Sequence, residues 1–183
     1  MPNTPKECRV VTGKVTFAYL NVNHPKPNFN HPERKPLYSA QLIIPKSDKG
    51  TVDKIQRAIA YAYDIGAAMY EEFKRRGLMG VKHPVMDGEV KHPDRPEYKD
   101  TWIINANNSE KPGVVDAGLN HIFDTNELYS GIIGRASIQF YPYNVGGTCG
   151  IACALKNIQK LDDGPHLGDD AVTIEQDFGG DEE

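Results

Sequence analysis

Between Tyr129 and Tyr143 the sequence YSGIIGRASIQFYPY alternates in character. Ala136, Ile138 and Phe140 fall on one face of a strand; Arg135, Ser137, Gln139, Tyr141 and Tyr143 fall on the other. The second set joins a cation, hydrogen-bonding groups and two aromatic rings. Rings stack on bases and cations meet phosphates, so such a face suits single-stranded nucleic acid, at roughly 1–3 kcal/mol per stacked base. The alternative is that Tyr141 and Tyr143 cover the edge of a core. Lys14 on the first strand and Lys156 on the last extend the basic character; in a curled sheet, Lys14, Arg135 and Lys156 would line one groove.

Two basic, proline-rich segments repeat the theme. Residues 26–36 hold Phe29 among Lys26, Arg34 and Lys35; residues 82–99 hold Lys82, Lys91 and Arg95, with Tyr98 beside Lys99. Long loops in small domains are either functional or disordered, and aromatics interleaved with cations fit nucleic-acid contacts. Tyr19, at the end of the first strand, belongs to the same candidate set.

Other chemistries are weaker. Asp87, Glu89 and Lys91 are the residue types that hold Mg²⁺ and activate water on a phosphodiester, but Gly88 interrupts them and prolines flank them. The four His-Pro pairs, at His24, His31, His83 and His92, read as turn punctuation rather than metal ligands. No phosphate-cradling GxxxxGK[ST] and no Gly-x-Ser-x-Gly elbow occur. Cys8, Cys149 and Cys153 make no disulfide framework and no zinc spacing, and read as free thiols. No cofactor is implied.

The elements that must position these residues follow from period and punctuation. Residues 8–20 read as a strand, with Val11, Val15, Phe17 and Tyr19 on one face and Thr12, Lys14 and Thr16 on the other. Residues 21–36, rich in Pro and Asn, read as a loop. Further strands are expected at 37–44, 101–106, 129–143 and 150–159, with a short one at 113–117. Asn144-Val145-Gly146-Gly147-Thr148 supplies a hairpin turn between the last two long strands. Residues 51–76 form the one strong helix, with Val52, Ile55, Ile59, Ala62, Tyr63, Gly66, Tyr70 and Phe73 in one stripe. Ser47 or Asp48 caps it, and Gly66 is a place for a break. Residues 77–100 read as a second long loop. Five strands with one inserted helix make an α+β, mainly β chain on a small OB-like barrel.

The 183 residues fit one ordinary domain, and 39% apolar content allows a packed core. The net charge of −4 is the sum of two unlike parts. Residues 161–183 carry nine acids and no Lys or Arg, which leaves +5 on residues 1–160. The expectation is a basic domain, 1–161, and an acidic disordered tail, 162–183, able to compete for the groove or to offer Phe178 to a partner. Nothing approaches the length of a membrane span, and no apolar leader region stands at the N-terminus. The chain reads as soluble, non-secreted and cytoplasmic.

The runs YSGIIGRASIQFYPYN and GIACALKNIQKLDDGPHLG, with YSAQLIIPK before the helix and INANNSEKPGVVD after it, resemble the phage-encoded single-stranded DNA-binding proteins with an OB fold. The resemblance covers residues 8–168. It implies a non-enzymatic protein that coats single-stranded DNA, in a host-cell cytoplasm, during replication, recombination or repair, with room for homo-oligomers or cooperative assembly on the strand. It places Arg135, Tyr141 and Tyr143 at the DNA face. It also implies an acidic tail that recruits replication or recombination partners, here Asp177, Phe178, Asp181, Glu182 and Glu183, although this tail does not finish on its aromatic residue. Two other readings remain open: a Mg²⁺-dependent nuclease on Asp87, Glu89 and Lys91, and an adaptor whose acidic tail is the active part.

Overall fold

The computed structural model describes residues 5–29 and 31–168. Its strands are β1 (Arg9–Val11), β2 (Val15–Lys26), β3 (Leu37–Pro45), β4 (Val85–Asp87), β5 (Thr101–Asn108), β6 (Gly113–Val115), β7 (Ile133–Val145) and β8 (Thr148–Asp162). Its helices are α1 (Lys49–Met69), α2 (Glu71–Arg76) and the single turn α3 (Gly88–Lys91). The long strands pair in a ring. β2 lies between β7 and β3, β3 pairs β5, and β8 pairs both β7 and, at Asn107–Ala154, β5. This is the expected OB-like arrangement, with the helix inserted after the second strand of the ring.

β5 and β8 meet only at that one parallel pair and then diverge. The chain from Lys82 to Asp87 fills the fork. Lys82 bridges to Gly150 on β8, while Val85, Met86 and Asp87 pair with Ile104, Ile103 and Trp102 on β5. The segment 77–100 is therefore not the loop expected from its prolines. It holds β4 and α3, and supplies the missing rung between two splayed strands.

The inner faces of the ring strands form the main core. Phe17, Leu42, Ile44, Ile104, Ile138, Phe140 and Leu155 are fully buried there, with Ile55, Ala58, Ile59 and Ala62 of α1. Asp48 caps α1, accepting from the Thr51 amide and hydroxyl. The helix breaks at Tyr70, whose backbone is extended, rather than at Gly66. Gly66 serves a different purpose: a Cβ there would stand 2.5 Å from the Phe73 ring, which α2 folds back under α1. Gly77, in the left-handed region at φ 70°, ends α2 after Lys74, Arg75 and Arg76.

Two strand expectations change. The first strand is broken at Thr12-Gly13-Lys14, which shifts its phase: Val10 is buried and Val11 exposed. Beyond the break, β2 does not stop at Leu20. It runs through Pro25 to Lys26, with register shifts on either side of Asn21. Such shifts release individual backbone positions from the ladder, which is how a strand tolerates a proline. Gly146 and Gly147, both at positive φ, make the expected β7–β8 turn.

Candidate functional site

The alternation of β7 is as read from the sequence. Gly134, Ala136, Ile138 and Phe140 are buried; Arg135, Ser137, Gln139, Tyr141 and Tyr143 point away from the core. On the neighbouring β8, Gly150, Ala152 and Ala154 stand opposite Tyr143, Tyr141 and Gln139. This row of small residues keeps the outer surface low beside the tyrosines. At Gly150 the constraint is tight: a Cβ would lie 2.6 Å from Lys82 Cβ, 2.7 Å from the Lys82 carbonyl oxygen and 2.9 Å from the Tyr143 hydroxyl. The absent side chain leaves room for both, so these two expected site residues converge on Gly150. Burial pushes both the Tyr141 and the Tyr143 hydroxyl above the ordinary tyrosine range, which keeps both rings uncharged.

The outer face continues from Ala154 to Asn107 on β5, then to β3 and β2. Ser39 pairs with Asn107 and Gln41 with Asn105; Asn21 of β2 pairs with Ser39. Amide and hydroxyl groups thus line three adjacent strands. The sequence reading missed them, although the signal was there. Ser39 and Gln41 alternate with Ala40, Leu42 and Ile44, and Asn105 and Asn107 alternate with Ile104 and Ala106.

Tyr19 closes this face. Its backbone sits at φ 45°, in the left-handed region that a bulky residue rarely adopts, at the bulge between Ala18 and Asn21. The bulge turns the ring outward, 45% exposed, where the unbroken alternation would have buried it beside Phe17. Arg95 Nη1 donates to the Tyr19 hydroxyl at 3.3 Å, and Arg95 is itself held by Glu97 at 2.7 Å and by the Tyr98 ring, 5.3 Å away. Tyr98 is not a stacking residue. It is fully buried against Ala18, Ile43 and Ile103, and its hydroxyl donates to Gln41. A ring with no exposed face cannot receive a base; Tyr98 instead anchors the segment that carries Arg95.

The remaining expected residues distribute around this face. Phe29 is 81% exposed, with Arg34 and Lys35 also exposed, in the loop joining β2 and β3. Arg135 Nε donates to the Thr12 carbonyl at 3.0 Å, which brings it to the β1–β2 turn where Lys14 is exposed. Lys156 is the extra residue where the β7–β8 register steps from Ser137–Asn157 to Ile138–Leu155. Lys91 ends α3, exposed. Of the two acids considered for metal chemistry, Asp87 is engaged otherwise: it pairs with Lys46 at 2.7 Å and caps α3 through the Glu89 and Val90 amides. Lys46 and those two amides hold its carboxyl below the ordinary range. No group of three metal-ligating side chains stands together among the described residues.

The packed chain runs past the expected domain boundary. β8 reaches Asp162, Tyr129 bonds Asp163 and Gly164 and stacks on His166, and the Leu167 amide donates to the Ser130 carbonyl. Gly131 makes room for this strap, since a Cβ there would run into the Pro165 carbonyl oxygen. Leu167 packs on the patch formed by Tyr98, Ile43 and Ile103. The tail residues Asp177, Phe178, Asp181, Glu182 and Glu183 lie outside the described residues.

An outer sheet face flanked by the first inter-strand loop and the last hairpin is where OB folds take oligonucleotides. Comparison with known proteins gives the family and the fold. Residues 8–183 match the family model of the ssDNA-binding protein of Enterobacter phage Enc34. The C-terminally truncated single-stranded DNA-binding protein of bacteriophage Enc34 has a similar structure: TM-score 0.71, 23% identity, covering 88% of this chain and 90% of that one. The Enc34 protein in complex with ssDNA gives 0.69 at 23% identity, covering 89% and 91%. The single-stranded DNA-binding protein gp2.5 of bacteriophage T7 gives 0.63 at 17% identity, covering 91% and 98%. No curated protein sequence matches the chain.

Proposed function

The chain belongs to the family of the Enterobacter phage Enc34 ssDNA-binding protein, and from that premise we propose that it binds single-stranded DNA along the outer face running from Tyr19 through β3 and β5 to Tyr141 and Tyr143. The observation that carries the proposal is the continuity of that face. Aromatic rings stand at both ends, amides and small residues lie between, and Arg95 and Lys82 stand beside the rings. Stacking on the rings contributes roughly 1–3 kcal/mol per base and tolerates any sequence. Lys82, Arg95, Arg34 and Lys35 neutralise phosphates, which makes affinity fall as salt rises. The protein acts by binding, in phage DNA replication or recombination in the host-cell cytoplasm, and performs no bond chemistry.

The acidic tail tunes access to the same face. Leu167 packs beside Tyr98, the residue that anchors Arg95, and Asp169 and Asp170 begin two residues later. In this reading their charge competes with phosphate or engages replication and recombination partners.

Fluorescence anisotropy with labelled single-stranded and duplex DNA, at two salt concentrations, tests the reading. The expected result is tight single-strand binding that weakens with salt, much weaker duplex binding, and tighter single-strand binding after removal of residues 169–183. Equal affinity for duplex contradicts it. Failure of residues 1–168 to bind DNA at all favours the adaptor reading.

A further inference from the structure

The line of paired residues that crosses the outer face does not end at β7. Asn21 pairs with Ser39, Ser39 with Asn107, Asn107 with Ala154 and Ala154 with Gln139; Gln139 pairs in turn with Arg9 on β1. Residues directly opposite one another in a strand pair share a face. Arg9 is therefore on the outer face, and exposed, while Cys8 and Val10 on either side of it are buried in the core. Those two anchors hold it on a strand rather than on a loop. The break at Thr12-Gly13-Lys14 is what puts β1 there. β2 pairs with the start of β7, at Ile133 and Gly134, and β1 pairs with β7 farther along, at Ser137, Ile138 and Gln139. Thr12 Oγ1 accepts from the Ala136 amide at 3.0 Å, and the Gly13 amide donates to Thr51, so the break is pinned on both sides.

Two of the three tyrosines of the face have a cation beside them: Arg95 donates to the Tyr19 hydroxyl, and Lys82 converges with Tyr143 on Gly150. Tyr141 has only Ala152 opposite it on β8. On its other side the diagonal neighbour across the β1–β7 pair is Arg9, at a separation of about 7–8 Å that a long side chain spans. We propose that β1 is a further strand of the DNA interface and that Arg9 takes a phosphate of the strand whose base stacks on Tyr141. Each of the three rings then works with a cation, one binding a base and the other its backbone. The inference rests on the reading of this face as the DNA interface.

Anisotropy titrations of the full chain with oligo(dT) across a salt series test it. Arg9→Ala is expected to weaken binding by about three- to tenfold at low salt, the scale of one net hydrogen bond, and to lower the slope of log affinity against log salt by about one. Arg9→Lys is expected to keep the slope. Arg57→Ala, on the exposed side of α1, is expected to change neither. Phenylglyoxal, which modifies arginine side chains, gives a second readout on the unaltered chain: bound oligo(dT) is expected to protect Arg9 and to leave Arg57 reactive, as mass spectrometry reads. A wild-type slope in Arg9→Ala, an equal loss of slope in Arg9→Ala and Arg57→Ala, or an Arg9 modified as fast with DNA as without it overturns the role of β1 and leaves the interface standing. Failure of the wild-type chain to bind oligo(dT) overturns that role and the DNA-binding reading together.

Discussion

Arg95 reaches across to the Tyr19 hydroxyl, and the two residues come from segments that neither pair nor follow one another in the chain. The contact holds an aromatic ring outward on a strained bulge and keeps a guanidinium beside it. Arg95→Ala is expected to weaken single-stranded DNA binding and to lower the slope of log affinity against log salt by about one, the signature of one lost phosphate contact. Arg95→Lys keeps the charge but loses the planar fork, and is expected to keep the salt slope while losing part of the affinity. Titrations across a salt series separate the two.

Tyr141 and Tyr143 are expected to contribute through their rings rather than their hydroxyls. Each change to Ala should cost about 1–3 kcal/mol of binding free energy, and each change to Phe should cost little. Anisotropy with all four variants checks this. A Phe variant as weak as its Ala counterpart would show the hydroxyl to be the operative group.

Gly150 is expected to refuse a side chain. In Gly150→Ala the new methyl meets the Lys82 carbonyl and the Tyr143 hydroxyl. Overpacking of this kind costs about 1–3 kcal/mol of stability, read by urea unfolding. The same variant should bind DNA more weakly than its loss of stability explains, because Tyr143 is displaced. Ala152→Gly, one pair along, should leave Tyr143 in place and DNA affinity close to wild type.

Asp48 joins α1 to the β1–β2 turn. It accepts from Thr51, whose Oγ1 in turn accepts from the Gly13 amide at 2.8 Å. The Thr51 hydroxyl and amide hold the Asp48 carboxyl below its ordinary value of 3.8. A lowered carboxylate stabilises the fold fully above that value, and the contribution is lost as pH falls through the lower folded value. Asp48→Ala should therefore cost about 1 kcal/mol near neutral pH, and the gap from wild type should close in acid. Urea midpoints measured from neutral pH down to below pH 3.8 test the sign; a gap that widens in acid contradicts it.

What the sequence revealed divides along a physical line. Period-2 alternation placed Arg135, Gln139, Tyr141 and Tyr143 on the outer face, because the register step at Ser137–Ile138 puts its extra residue, Lys156, on β8 and leaves the β7 alternation intact. The helix start, capped at Ser47 or Asp48, and the Gly146–Gly147 turn were equally local, and equally legible. What stayed hidden depends on long-range pairing. Prolines marked 77–100 as a loop, yet β5 and β8 diverge and recruit Lys82–Asp87 between them. Tyr98 looked like an exposed ring among cations, yet the patch of Ala18, Ile43 and Ile103 draws it into the interior. Tyr19 was in the candidate set, but period put it on the face of Val15 and Phe17, and only a register shift turns it outward. Gln41 and Asn105 carried a readable alternation, but their partnership exists only once β3 and β5 lie side by side.

The central claim is that single-stranded DNA lies on the outer face between Tyr19 and Tyr143. Photocrosslinking with a 5-iododeoxyuridine-substituted single strand, followed by mass spectrometry of the adducts, tests it most directly, because the halogenated base reacts with the aromatic side chain stacked on it. The account predicts adducts at Tyr19, Tyr141 and Tyr143, lost in the presence of excess unlabelled single strand. Adducts confined to Tyr61 on the exposed side of α1, or to Phe123, with the three tyrosines unmodified, would contradict it.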